Sequence, residues 1–127
     1  MVADSAEILI VDDEPHLCSV LHRILTREGY CVRTATDGET ALELCRQKAP
    51  DVLLLDVMMP GMDGREVCRR VRESAVATHI IYFTARTDSA GLPRLRQLRQ
   101  EADALIAKPC TTKTILSKVK DVLEGAL

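Results

Sequence analysis

Apolar positions along this chain fall into two patterns. Unbroken runs appear as IleLeuIleVal at 8–11, ValLeuLeuLeu at 52–55, IleIleTyrPhe at 80–83 and AlaLeuIleAla at 104–107. Runs this short, without polar alternation, predict strands covered on both faces, as a parallel sheet between two helical layers requires. Residues 30–35 follow Gly29 and alternate only in part, which predicts an edge strand. Between the runs the spacing turns helical. Leu17, Val20, Leu21, Ile24 and Leu25 draw one stripe before Gly29 stops it. Ala41, Leu42 and Cys45 mark a second helix between Gly38 and Pro50, and Val67, Cys68 and Val71 a third that begins near Asp63 and Gly64. A fourth is placed with Pro93 at its first position, since Gly91 interrupts the segment. Ile115, Leu116, Val119, Val122 and Leu123 mark the last, with Thr111 or Thr112 as its N-cap and Gly125 as its stop.

Strict alternation of strand and helix implies an α/β fold whose parallel strands are joined by right-handed crossovers. Of the doubly wound arrangements, five strands flanked by five helices fit the flavodoxin-like order 2-1-3-4-5, in which ligands bind beyond the carboxyl ends of strands 1 and 3. The residues that follow those two strands are therefore the first place to look for chemistry.

Composition narrows the class. A chain of 127 residues with 46% hydrophobic and 28% charged side chains has the size and balance of one domain, expected over 1–127. With 17 basic against 19 acidic residues and a net charge of -2, direct nucleic-acid binding is not expected. Tyr30, Tyr82 and Phe83, the only aromatics, are too few for a base-stacking platform. No run reaches the roughly 18 apolar residues of a membrane span, and the N-terminus lacks the basic start of a leader, so a cytoplasmic setting without membrane contact is expected. Cys18, Cys31, Cys45, Cys68 and Cys110 form no CxxC pair and read as buried core thiols. His16, His22 and His79 lack zinc-ligand spacing and read as structural or surface residues.

The chemistry gathers at the strand ends. Asp12 and Asp13 follow strand 1 and Asp56 follows strand 3, so the proposed topology converges three carboxylates. Two such charges about 4 Å apart repel by about 4 kcal/mol at an effective dielectric of 20, which a divalent cation removes. Hard oxygen donors point to Mg²⁺, with Mn²⁺ as the alternative. Helix capping by one of Asp12 and Asp13 would leave Asp56 unexplained. Thr84 at the end of strand 4 and Lys108 after strand 5 add a hydroxyl and an ammonium to the same edge. A carboxylate nucleophile, a metal, a hydroxyl donor and a Lys charge are the parts phosphoryl transfer needs.

These residues resemble the receiver domains of two-component response regulators, the CheY-like fold. The resemblance rests on ValAspAspGlu at 11–14, LeuLeuAspValMetMetProGlyMetAspGly at 54–64, ThrAla at 84–85 and LysPro at 108–109. It implies that Asp56 accepts a phosphoryl group as an aspartyl phosphate. Asp13 and Asp56 would bind Mg²⁺ directly, Asp12 through water, and the Met58 backbone carbonyl would complete the protein ligands. Thr84 and Lys108 would each hold a phosphoryl oxygen, and the Lys108-Pro109 peptide would be cis. The implied partners are a sensor histidine kinase or a histidine phosphotransfer protein and a downstream effector, and the implied output surface is the fourth helix, fifth strand and fifth helix. The domain would assist its own phosphorylation and dephosphorylation as a signalling switch and not as an enzyme with an external substrate.

The chain departs from the family at several positions. Leu105 stands where the family usually carries Tyr or Phe, so the usual aromatic switch is missing. The spacing from Thr84 to Lys108 is slightly long, with the extra length at 89–93, and Arg94, Arg96 and Arg99 make the fourth helix Arg-rich, read as a solvated face or an acidic-partner patch. Cys110 replaces a common Phe, and Met58 and Arg86 occupy positions that tune phosphoryl lifetime. Two other readings fit the residues less well. A phosphorylation-independent scaffold conflicts with the intact acid cluster. An aspartate-nucleophile phosphatase usually needs a second Asp where Met58 stands. Neither GxGxxG nor GxxxxGK occurs, which disfavours dinucleotide or P-loop nucleotide binding.

Overall fold

Parallel strands at the centre of this molecule are buried because helices cover both sheet faces. The computed structural model describes residues 5–74, 77–85 and 95–125. The elements run β1 (Glu7–Val11), α1 (Pro15–Arg27), β2 (Cys31–Ala35), α2 (Gly38–Gln47), β3 (Val52–Leu55), α3 (Gly64–Ser74), β4 (His79–Thr84), α4 (Leu95–Glu101), β5 (Ala104–Ala107) and α5 (Thr112–Leu123). The sheet is parallel throughout, in the order β2-β1-β3-β4-β5. It is the doubly wound α/β fold the alternation predicts.

Because side chains alternate across a strand, each strand feeds two cores. Leu9, Val11, Leu53, Leu55, Ile80 and Tyr82 face α2, α3 and α4, meeting Ala41, Cys45, Val67, Val71 and Leu98. Ile8, Ile10, Val52, Leu54, Ile81, Phe83 and Ile106 face α1 and α5, meeting Leu21, Leu25, Ile115 and Val119. Every residue of β3 is buried, as its unbroken run predicts. β5 differs, since Ala104 and Leu105 are half-buried and Ala107 is exposed. It lies at the open edge of the sheet, where only one side has a neighbouring strand. Similarly, Cys31 is exposed on the opposite edge strand, a correction to its reading as a core thiol, while Cys18, Cys45 and Cys68 are buried.

The helix ends follow local chemistry. Asp37 accepts from the Thr40 N–H at 2.7 Å and Thr111 from the Thr114 N–H at 3.1 Å, so Thr111 caps α5. Gly29 and Gly125 take left-handed φ of 98° and 71° just past α1 and α5. Arg33 on β2 donates to the Leu44 and Lys48 carbonyls at 2.9 and 2.7 Å and so holds the C-terminal end of α2 with a cation. Within the described residues α4 begins at Leu95, and the predicted start at Pro93 lies outside them. Among the described residues no helix is long and apolar enough to cross a membrane.

Candidate phosphoryl-acceptor site

Hydrogen bonds that continue the strand ladders carry the chemistry to one edge. Register pairs Val11 with Leu55 and Thr84 with Ala107. One residue further, the Asp12 N–H donates to the Ala35 carbonyl at 3.1 Å, Asp56 to Val11 at 2.9 Å, and Lys108 to Thr84 at 2.8 Å. Asp12, Asp56 and Lys108 therefore leave the carboxyl edge side by side, anchored by backbone and not by their own charges.

The side chains converge. Asp12, Asp13 and Asp56 each offer a carboxylate oxygen, and these lie within 4.8 Å of one another. Asp12 is 1% exposed and Asp56 5%, whereas Asp13 faces solvent. Two buried carboxylates need a positive partner. Lys108 supplies it, with its Nζ 2.6 Å from Asp12 Oδ2, 3.6 Å from Asp56 Oδ2 and 5.0 Å from the centroid of the Phe83 ring. One ammonium does not balance the cluster. Burial, joined by the Asp12 and Asp13 charges, outweighs Lys108 and the Met58 N–H and pushes the Asp56 carboxyl up to about 6. Burial alone would pull Lys108 down, but its hydrogen bond to Asp12 and the two acidic charges hold it above its ordinary value. A hard divalent cation fits these oxygens by charge and donor type, and Asp12, Asp13 and Asp56 are the residues that would hold it.

Local structure around Asp56 is tight. Its Oδ1 accepts from the Met58 N–H at 3.2 Å, turning the chain immediately after β3 and leaving the Met58 side chain 53% exposed. The chain reverses through Gly61, whose φ is 75°. It then re-enters at Gly64, where a Cβ would stand 2.1 Å from the Asp56 carbonyl oxygen and 2.8 Å from Val57 Cα. Only glycine lets the start of α3 lie this close, and Asp63 caps that helix by accepting from the Glu66 N–H at 3.0 Å. Asp12 has a local bond as well, accepting from the Glu14 N–H at 3.0 Å, while α1 opens at Pro15 with no side-chain cap. Neither Asp12 nor Asp13 therefore caps α1, and the Asp12 bond is a local turn that uses one of its oxygens.

Thr84 is 1% exposed, and its Oγ1 has no hydrogen-bond partner among the described residues. A buried unpaired hydroxyl is costly and calls for an explanation. The Lys108-Pro109 peptide is cis. Leu105 is half-buried against the α2–α3–α4 core, opposite Tyr82 in the β4–β5 register. His16 and His22 are exposed on α1 and His79 opens β4, none of them in the acid cluster. Arg96 and Arg99 are exposed, and Arg86 and Arg94 lie outside the described residues.

Sequence reasoning missed several contributors. The Cys18 Sγ donates to the Asp12 carbonyl at 3.3 Å, supporting the turn behind the cluster, yet its spacing on α1 reads only as apolar. The role of Gly64 depends on a contact between segments and has no local signal beyond its place in the motif. Tyr82 reads as one more apolar residue of β4, but its hydroxyl is bonded to Glu101 of α4 at 2.8 Å. That pair lines a cavity of about 800 Å³ between α3 and α4, apart from the carboxylates.

Comparison with known proteins accords with this geometry. Residues 8–120 match the family model described as response regulator receiver domain. The transcriptional regulatory protein TrcR of Mycobacterium tuberculosis is 40% identical over 116 residues, covering 91% of this chain and 44% of its own length. The chain thus spans less than half of that relative. The response regulator TrrA of Thermotoga maritima, solved in complex with Mg²⁺ and BeF, is 34% identical with a TM-score of 0.80, over 91% of this chain and 97% of that one. A CheY-like receiver domain from Methanospirillum hungatei is 28% identical with a TM-score of 0.83, over 94% of each chain. Five parallel strands in the order 2-1-3-4-5, with an acid cluster at their carboxyl edge and a family match over 8–120, place the chain among the receiver domains of two-component response regulators.

Proposed function

We propose that Asp56 is the phosphoryl acceptor of a signalling switch. The observation that carries this reading is the convergence of three carboxylates, the Lys108 ammonium and the unpaired Thr84 hydroxyl on one sheet edge. Asp56, ionised at neutral pH, attacks the phosphorus of a partner's phosphohistidine. Its carboxylate forms the new O–P bond as the P–N bond breaks, and the electron pair leaves on the imidazole nitrogen, which takes a proton from solvent. Lys108 offsets charge on one phosphoryl oxygen and the Thr84 hydroxyl donates to another, giving that orphan hydroxyl its partner. A bound Mg²⁺, held by Asp12, Asp13, Asp56 and the Met58 carbonyl, supplies charge neutralisation of the transferring group. The donor is a sensor histidine kinase or a histidine phosphotransfer protein. Added charge at Asp56 biases a two-state equilibrium read at the α4, β5 and α5 surface by a downstream effector. The likeness to a transcriptional regulatory protein supports an effector or linked segment that controls transcription.

Intact mass after incubation with acetyl phosphate tests this reading. Wild type is expected to gain one phosphoryl group with Mg²⁺ and none with EDTA, and Asp56→Asn none in either. Equal gain in wild type and Asp56→Asn overturns the assignment.

A further inference from the structure

The polar cluster between α3, β4 and α4 is unused by the phosphoryl chemistry. Tyr82 is fully buried, yet its hydroxyl donates to Glu101 Oε1 at 2.8 Å. The same carboxylate accepts from Arg65 of α3, whose Nε lies 2.9 and 3.0 Å from its two oxygens and whose Nη2 adds a further bond. The Glu101 backbone carbonyl accepts from Arg72 at 3.2 Å and from the Cys68 thiol at 3.6 Å. One residue at the end of α4 is therefore held by three residues of α3 and one of β4. Among the described side chains of α4, Leu98 is buried in the core, joined by Ala102 just past the helix end. Polar contacts from Arg65, Cys68, Arg72 and Tyr82 therefore add to that apolar anchor at the C-terminal end of the helix.

Tyr82 also stands where it can sense the site. It lies two residues before Thr84 on one strand, so both side chains project from the same sheet face. Among the described residues the Thr84 hydroxyl has no hydrogen-bond partner, so a ligand at the carboxyl edge that engages it acts on the same strand that carries Tyr82. Tyr82 is close-packed and bonded to Glu101, and the cavity of about 800 Å³ beside both leaves Glu101 room to shift.

We propose that Tyr82, Glu101 and Arg65 form a latch that holds α4 in its unphosphorylated position and is released when Thr84 engages the phosphoryl group. It rests on the reading of Asp56 as acceptor. Position 105, a Leu, offers no polar group, and its β4 neighbour Tyr82 supplies the hydroxyl that ties strand to helix. Because the latch belongs to one of two states, breaking it raises the population of the other, and a phosphoryl mimic then binds more tightly by the same factor.

The test compares the full chain as wild type, Tyr82→Phe and Glu101→Ala. Beryllofluoride with Mg²⁺ is titrated by NMR, and amide exchange of α4 and α5 is followed in the free protein. Tyr82→Phe deletes one oxygen, and Glu101→Ala changes a partly exposed side chain, so at least one variant should fold. The expected result is faster exchange in α4 but not α5, with beryllofluoride bound about fivefold more tightly, which is about 1 kcal/mol at 1.4 kcal/mol per tenfold. Faster α4 exchange with unchanged or weakened beryllofluoride affinity overturns the latch as a switch element, leaves a purely structural tie, and lets the Asp56 reading stand. Unchanged exchange in both variants overturns the latch outright. Equal beryllofluoride binding by wild type and Asp56→Asn overturns the Asp56 reading and, with it, the switch that rests on it.

Discussion

Replacing the proposed acceptor should make the unphosphorylated, metal-free domain more stable. Burial first, then the neighbouring Asp12 and Asp13 charges, raise the Asp56 carboxyl from 3.8 to about 6 against the pull of Lys108 and the Met58 N–H. At 1.36 kcal/mol per tenfold change in proton affinity, holding Asp56 ionised in the fold costs about 3 kcal/mol relative to the unfolded chain. The sign follows from proton counts. Between about pH 4 and pH 6 Asp56 holds more proton in the folded state than in the unfolded one, so this group's contribution to stability is greatest below that window and falls as pH rises through it. Asp56→Asn keeps the shape and removes the charge, at the loss of the Lys108 attraction, so at pH 7.5 in EDTA it should gain about 1–3 kcal/mol over wild type. Urea unfolding followed by circular dichroism from pH 4 to pH 8 measures this directly. Adding Mg²⁺ should raise wild type more than the variant, because only wild type presents all three carboxylates. An Asp56→Asn protein no more stable than wild type at pH 7.5, or wild type and variant curves parallel between pH 4 and 6, would refute the reasoning.

Other substitutions probe the same architecture. Thr84→Val exchanges a buried unpaired hydroxyl for a methyl, so the free protein should gain about 1 kcal/mol in urea unfolding while beryllofluoride binds more weakly, and a loss of stability would show the hydroxyl already satisfied. Gly64→Ala puts a Cβ 2.1 Å from the Asp56 carbonyl oxygen and should cost at least about 2 kcal/mol while lowering the phosphorylation rate, measured by intact mass. Arg33→Met removes the cation bonded to the Leu44 and Lys48 carbonyls, so stability should fall by about 1 kcal/mol with faster amide exchange confined to the end of α2.

How much of this was legible follows from the range over which each determinant acts. Strand identity was legible because burial on both faces leaves a run with no polar residue, as at 8–11 and 52–55, and helix ends because Gly29, Thr111 and Gly125 act on their own backbone. Alternation of those elements then dictated the parallel order, and the order brought Asp12, Asp56, Thr84 and Lys108 to one edge. What hid from the sequence was contact between elements distant along the chain. Leu105 and Cys31 have core composition but lie on edge strands, and an edge is a property of the sheet that no single run displays. The Tyr82 hydroxyl, fully buried, meets a carboxylate 19 residues away, and Glu101 looks like any charged helix residue until Arg65 closes on it from α3. The chain by itself determined which runs form strands and where capping residues end helices, because desolvation of a whole run and capping are local. Tertiary structure alone decided which buried polar groups found partners and which, like the Thr84 hydroxyl, have none among the described residues, because pairing depends on distances that only the packed layers set.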